Sequence, residues 1–386
     1  MKCVCEFVRN QYAKEIKIRE YQKGDEKEIV QLLIHCFDGW PHIDTKLTSP
    51  DYWKWKYQKC PKKSIISVAV HNKKIIACHH LILQWIQIKE EKTYSCASVD
   101  FAVHPDYRGM KLSSRISDFA DERMIAAGIK IRMNFTGNRI LISKYTSSPN
   151  PQSRRPYFPK TIINMTRIQN IEKQIKEMPV KYGFIKKIGV KALQKWNRYL
   201  YTIPQKDNTG TEKQIDYFPE KISELIDSIY QNFDYIIQRD VDFLNWKYSY
   251  PNLGDYRKTI VEQDNKIQGY SVLYINRYNK DYPIGYIVDL ITNPDKPSTT
   301  NDLLHDATEY FDKNNVNIVN CMTAKGNNFE KQLVKHGFLD SRHKFHIFTS
   351  QQGSKDLEAL KKSDPNKIHM AWGDFDILPV NQKNEN

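Results

Sequence analysis

The residues best suited to chemistry run from Val103 to Ser113, in the order Val103-His104-Pro105-Asp106-Tyr107-Arg108-Gly109-Met110-Lys111-Leu112-Ser113. An apolar run ends at Pro105, and an amphipathic pattern begins at Leu112, so the segment reads as a strand, a turn and the start of a helix. A helix start offers backbone N–H groups without intrahelical partners together with a partial positive charge, which is what a phosphate group needs. Gly109 lets the backbone approach a ligand, Ser113 and Ser114 keep the side chains small, and Arg108 and Lys111 add charge. A strand–loop–helix with one glycine is common among α/β proteins that turn this way for packing alone.

Other reactive side chains form no set. The seven cysteines are scattered, and Cys3-x-Cys5 lacks the two-residue gap of zinc and redox motifs, so reduced thiols are expected. His79-His80 and the series His336, His343 and His346 have no cysteine or carboxylate nearby in sequence to complete a ligand set, and no metal is expected. Cys96 precedes the apolar strand with no histidine suggested as its partner.

The elements that must position the loop occur twice. Asp51-Tyr52-Trp53-Lys54-Trp55-Lys56-Tyr57 returns as Asp242-Phe243-Leu244-Asn245-Trp246-Lys247-Tyr248. The polar turn Asn72-Lys73 between apolar runs returns as Asp264-Asn265, each reading as a hairpin. Val99-Asp100-Phe101-Ala102-Val103-His104-Pro105 returns as Val288-Asp289-Leu290-Ile291-Thr292-Asn293-Pro294, and Ile131–Thr136 before Gly137-Asn138 returns as Ile318–Thr323 before Gly326-Asn327. Each unit therefore opens with a helix (Glu26–Phe37, Lys221–Phe233) and a hairpin. A central strand, a helix (Leu112–Ala127, Asn301–Asn314), another strand and a last strand (Thr161–Ile168, Lys344–Thr349) follow. The expected class is mixed α/β with a largely antiparallel sheet in each of two tandem domains. The boundaries read as residues 1–168, a basic connector 169–213, a second domain 214–352 and a C-terminal extension and tail 353–386.

Length and composition agree with two globular domains, at 386 residues with 40% hydrophobic and 27% charged residues. The longest apolar runs are too short for the ~20 residues of a membrane span. The charged N-terminus does not read as a signal peptide, so a cytoplasmic location is expected. The net charge of +14 is uneven, with ten Lys or Arg against two Glu between Arg167 and Lys206. A solvated connecting helix explains such a run, and a nucleic-acid partner is the competing account.

Pro105-x-Tyr107-Arg108-Gly109 at a strand-to-helix turn resembles the CoA pyrophosphate loop of the GNAT acetyltransferases, and the order of elements agrees. The family pattern of Arg or Gln, two residues, Gly, any residue, then Gly or Ala falls on Arg108, Lys111 and Ser113, so Lys111 stands in place of a glycine. The resemblance covers residues 16–168 and, through the repeat, 215–350; similar tandem arrangements occur in mycothiol synthase and the Fem aminoacyl transferases.

The resemblance implies acetyl-CoA or another acyl-CoA as cosubstrate, no metal, and direct transfer to an amine of a small molecule or polypeptide. The backbone of Phe101, Ala102 and Val103 would hold the pantetheine arm and acyl carbonyl where two central strands part. Arg108, Gly109, Met110, Lys111, Leu112 and Ser113 would hold the pyrophosphate. Asp100 is the candidate general base, although Asp289 repeats it in a unit whose loop, Pro294-Asp295-Lys296-Pro297-Ser298-Thr299-Thr300, has no glycine; a structural carboxylate is the other reading. Tyr145 or, as the alternative, Tyr157 is the candidate proton donor. No CoA is expected in the second unit. Trp55 and Trp246 read as structural because both units carry them. Two readings compete: an aminoacyl-tRNA-dependent transferase like the Fem proteins, against which the retained loop weighs, and a non-catalytic module binding nucleic acid or another polyanion.

Overall fold

The computed structural model describes residues 15–136, 139–148, 154–171, 173–174, 204–293 and 296–375. Gly137-Asn138, Pro294-Asp295, most of the basic connector with Lys186, Lys187 and Lys191, and the tail from residue 376 lie outside them, as do Cys3 and Cys5. No helix among the described residues is long and apolar enough to cross a membrane.

The first repeat supplies β1 (Lys17–Glu20), α1 (Glu26–Cys36), α2 (Ser49–Gln58), β2 (Ile65–His71), β3 (Lys74–Ile88), β4 (Glu91–Val103), α3 (Leu112–Ala126), β5 (Ile131–Thr136), α4 (Arg139–Ser147) and β6 (Ile162–Ile168). The second supplies β7 (Thr211–Ile215), α5 (Ile222–Tyr230), β8 (Tyr235–Ile237), α6 (Val241–Tyr248), β9 (Tyr256–Gln263), β10 (Lys266–Asn276), β11 (Ile284–Thr292), α7 (Pro297–Lys313), β12 (Ile318–Ala324), α8 (Asn328–Lys335), β13 (Leu339–Lys344), β14 (His346–Thr349) and α9 (Gln351–Glu358). Both hairpins turn through paired left-handed residues, Asn72 and Lys73 at φ 49° and 61° and Asp264 and Asn265 at 51° and 60°, the geometry that a two-residue turn between right-twisted strands requires. Side-chain caps start the two Trp-bearing helices: Thr48 accepts from the Asp51 N–H, and Asp240 accepts from the Phe243 N–H at 2.8 Å.

Two seven-stranded sheets result. The first runs β1-β2-β3-β4-β5-β14 with β8 against β3; the second runs β13-β6-β12-β11-β10-β9-β7. Within each, one pair is parallel, β4 with β5 and β11 with β12, because a crossover helix joins those strands. Two strands pair across the expected units. Ile162–Ile168, expected to close the first sheet, pairs antiparallel with β12 of the second, and His346–Thr349, expected in the second, pairs antiparallel with β5 of the first. Alternating apolar residues mark a strand without naming its neighbour, so the exchange is not written in the pattern.

The repeated Trp motif forms the junction between the units. Trp55 and Trp246 stack at 5.2 Å and 20°, and each indole N–H donates to the other residue's carbonyl, at 3.0 and 3.1 Å. One apolar core joins the sheets: Ile131 and Met133 of β5 pack in the same cluster as Tyr270, Tyr286 and Trp372.

Candidate functional site

β4 and β5 pair only from Ser95↔Ile131 to Ala97↔Met133 and then diverge, leaving a fork in the first sheet. A bulge in the β3–β4 ladder opposite Cys78 and His80 falls at the fork and sets Asp100 at φ 42°. β11 and β12 make the corresponding fork in the second sheet, pairing from Ile284↔Ile318 to Ile287↔Cys321 and parting beyond it.

In the first unit the loop after β4 leads from the fork to the start of α3. Pro105–Tyr107 form a 3-10 turn, with the His104 imidazole accepting from the Asp106 N–H at 3.3 Å. Gly109 lies at φ 84° and Lys111 at φ 55°, both left-handed, and α3 begins without a side-chain cap. The first helical bonds come from the N–H groups of Ser114 and Arg115 to the Lys111 carbonyl, at 3.1 and 3.2 Å, so the N–H groups of Leu112 and Ser113 precede the ladder. The glycine that Lys111 replaces in the GNAT pattern is explained by this conformation, which costs an L-residue about 1–2 kcal/mol. Arg108 Nε donates to the Val103 carbonyl at 3.3 Å and ties the loop to the fork. Lys144 of α4 reaches Ser114 Oγ at 3.5 Å, and burial lowers its pKa. The loop residues Arg108 to Ser113 and the strand residues Phe101 to Val103 are thus brought together.

Asp100 is not placed as a free base. Its carboxylate accepts from the Trp40 indole at 2.9 Å, from Lys56 Nζ at 2.5 Å and from the Tyr57 hydroxyl. Burial pushes its pKa up, but Lys56 and His80 beside it outweigh that and hold it below the usual carboxylate range. The Trp53 indole donates to His80 Nε2 at 3.2 Å, so Nδ1 carries the proton and donates to the Asp100 carbonyl at 3.0 Å; burial lowers the imidazole pKa to about 4 and keeps it neutral. Asp289 is held in the same way, by Arg239 Nε at 2.8 Å and the Tyr270 hydroxyl at 2.9 Å, and Arg239 also pairs with Asp374 at 2.5 Å. Both aspartates anchor the bulge side of a fork.

Tyr145 packs edge-on against Phe348 at 5.0 Å, and Tyr157 lies on the same ring at 4.6 Å, so both tyrosines gather around the exchanged strand β14. Cys96 is buried with Leu81, Ala120 and Met124, and burial pushes its thiol up to about 12, which suits packing and not nucleophilic attack.

The second unit's helix opens on Pro297 and holds a segment of the chain through its second turn. Asp302, in the first turns of α7, accepts the N–H groups of Asp207, Asn208 and Thr209 at 2.7, 3.1 and 2.9 Å, and Asn301 donates to the Gln205 carbonyl at 2.8 Å. The chain's own residues 205–209 therefore lie against α7.

A cleft runs between the units, and its lining residues were not named by the sequence. Ala97 and Val99 of β4, Gln84 of β3, Trp55 and Lys56 of α2, Trp246 to Tyr248 of α6, Tyr256, Val288 and the segment Trp372–Phe375 line it. The repeated Trp motif pointed to half of this wall. Trp372–Phe375 has no counterpart in the first unit and gave no signal.

Residues 17–144 match the family model described as an acetyltransferase (GNAT) domain. Among solved structures, the chain is similar to a probable N-acyltransferase of unknown function from Enterococcus faecalis V583, at 10% identity over 89% of this chain and 74% of that one, with a TM-score of 0.60. It is similar to a GCN5-related N-acetyltransferase from Anabaena variabilis at 10% identity over 86% and 72%, with a TM-score of 0.58. It is also similar to Saccharomyces cerevisiae N-myristoyltransferase with bound myristoyl-CoA, at 16% identity over 87% and 78%, with a TM-score of 0.57. At these identities the likeness is one of fold. No curated protein sequence matches the chain.

Proposed function

We propose, from the premise that this chain has a tandem acyltransferase fold whose first unit carries a GNAT domain, that it transfers an acyl group from acyl-CoA to a primary amine by direct attack. The observation that carries this reading is the contrast between the units. The first combines a fork with a glycine-bearing loop at a helix start, whereas the loop of the second has no glycine and its helix opens on Pro297, which has no N–H to offer.

The cosubstrate supplies a thioester already activated for acyl transfer. Arg108 and the N–H groups opening α3 suit its pyrophosphate, and the stretch of β4 from Phe101 to Val103, beyond its pairing with β5, suits the amides of its pantetheine arm. An N–H of that stretch would receive the negative charge that develops on the acyl oxygen. The amine forms its N–C bond as the C–S bond breaks, and the departing thiolate takes a proton, a role we assign to Tyr145. Because Lys56, Trp40 and Tyr57 occupy the Asp100 carboxylate, the amine's proton passes to water and Asp100 positions the fork. Acetyl-CoA is the donor to try first.

Calorimetric titration of the full chain with acetyl-CoA tests the reading. Saturable binding is expected, and Arg108→Glu should weaken it about 10- to 100-fold, the worth of a hydrogen bond to a charged group plus the added repulsion. Absence of binding to the unmodified chain would overturn it.

A further inference from the structure

Resting on the acyl-transfer reading above, we infer that the cleft between the units takes an amine acceptor with an apolar or aromatic body and a hydrogen-bond-accepting carbonyl, and that it rejects polyamines and amino sugars. The position comes from β4. Ala97 is its last residue paired with β5, Val99 follows just past the fork, and both line the cleft. A group lodged in the fork therefore meets the cleft directly.

The lining sets the chemistry. Trp55, Trp246, Tyr248, Tyr256 and Trp372 present rings, and Ala97, Val99 and Val288 present aliphatic surface. Among the described residues, two buried donors of this wall have no acceptor. Gln84 is 4% exposed and its Nε2 has no hydrogen-bond partner; Trp372 is 1% exposed and its Nε1 has none. Unmet buried donors destabilise the free protein, and turning either side chain toward a ligand carbonyl in the cleft would relieve that cost.

Charge decides against polycations. Lys56, Lys247 and Arg239 stand against Asp100, Asp289 and Asp374 in and behind the wall, so the charges cancel in number. Asp374, the carboxylate lining the cleft, is paired with Arg239 at 2.5 Å. Two further rings of the lining, Tyr52 and Phe243, already face a cation, with Lys56 Nζ 5.7 Å from the Tyr52 ring and Lys247 Nζ 5.3 Å from that of Phe243. A charged acceptor would lose its hydration with no carboxylate to receive it, whereas a neutral amine enters at little cost and in the form that attacks.

Thiol release from acetyl-CoA by the full chain, compared across phenylalaninamide, spermidine and glucosamine, tests the assignment. The expected kcat/KM for phenylalaninamide exceeds the other two by at least about tenfold, and Gln84→Leu should raise its KM about three- to tenfold without moving the KM for acetyl-CoA. Equal or better turnover of spermidine or glucosamine would overturn the assignment, as would an unchanged phenylalaninamide KM in a folded Gln84→Leu protein. Tryptophan fluorescence titrated with phenylalaninamide alone reads the cleft without acetyl-CoA. Saturable change is expected, and its absence overturns the cleft assignment. Amine binding in a chain that gives no heat with acetyl-CoA would sink the acyl-transfer reading and leave the cleft assignment standing.

Discussion

Asp100 and Lys56 form a buried pair at the bulge of β4, with side chains 10% and 3% exposed. Removing one partner of such a pair strands a charge in the interior, which typically costs about 3–5 kcal/mol, whereas replacing both by apolar groups is far milder. Asp100→Asn should therefore lower the melting temperature sharply, and adding Lys56→Met should restore much of it. A general base would behave otherwise, losing activity with stability intact, so melting curves beside rates at saturating substrate separate the two roles. Acid acts on the same residues. His80 titrates near 4 in the folded chain against an ordinary 6.5, so its contribution is present above about pH 6.5 and is lost as the pH falls toward 4. Burial would raise Asp289, but Arg239, His369 and Tyr270 hold it at about 2 against 3.8, so its contribution is complete above about pH 4 and is lost as the pH falls toward 2. Thermal melts should thus decline from pH 6.5 downward and steepen below 4; a melting temperature constant from pH 7 to 3 would contradict this placement.

At the scale of elements, α2 and α6 show why a sequence can carry one motif twice for a reason unrelated to substrate. α2 buries Tyr52, Trp53, Trp55, Lys56 and Tyr57, α6 buries Phe243, Leu244 and Tyr248, and the reciprocal Trp55 and Trp246 bonds satisfy the indole donors at the unit junction. The loop before α3 shows the reverse. Its counterpart before α7 kept the helix but gained Pro297 at the first turn and an acid, Asp302, that binds the chain's own N–H groups. The position that suits an anion in the first unit thus loses a donor and gains a nearby carboxylate in the second.

Across the whole molecule, the exchange of β6 and β14 makes the units dependent on each other. Residues 1–168 alone would leave β5 without β14 along one edge and carry β6 away from β12, exposing apolar strand edges. The full chain should melt in one cooperative transition, with calorimetric and van 't Hoff enthalpies in agreement, while a 1–168 fragment should be insoluble or lack a cooperative melt. Two separated transitions in the full chain, or a stably folded fragment, would contradict this.

The sequence by itself determined the two-fold repeat, both hairpins, the helix start at Leu112 and the loop that distinguishes the units, because hydrophobic period, turn residues and glycine act over a few neighbours. It also raised the doubt over Asp100, since Asp289 repeats it where the loop is absent. Tertiary structure alone decided which sheet Ile162–Ile168 and His346–Thr349 join, that Lys56 and Tyr57 fill the Asp100 carboxylate, and that Trp372–Phe375 returns to wall the cleft. Those outcomes depend on contacts between residues tens to hundreds of positions apart, whose partners are chosen by the packing of completed elements and leave no period in the chain.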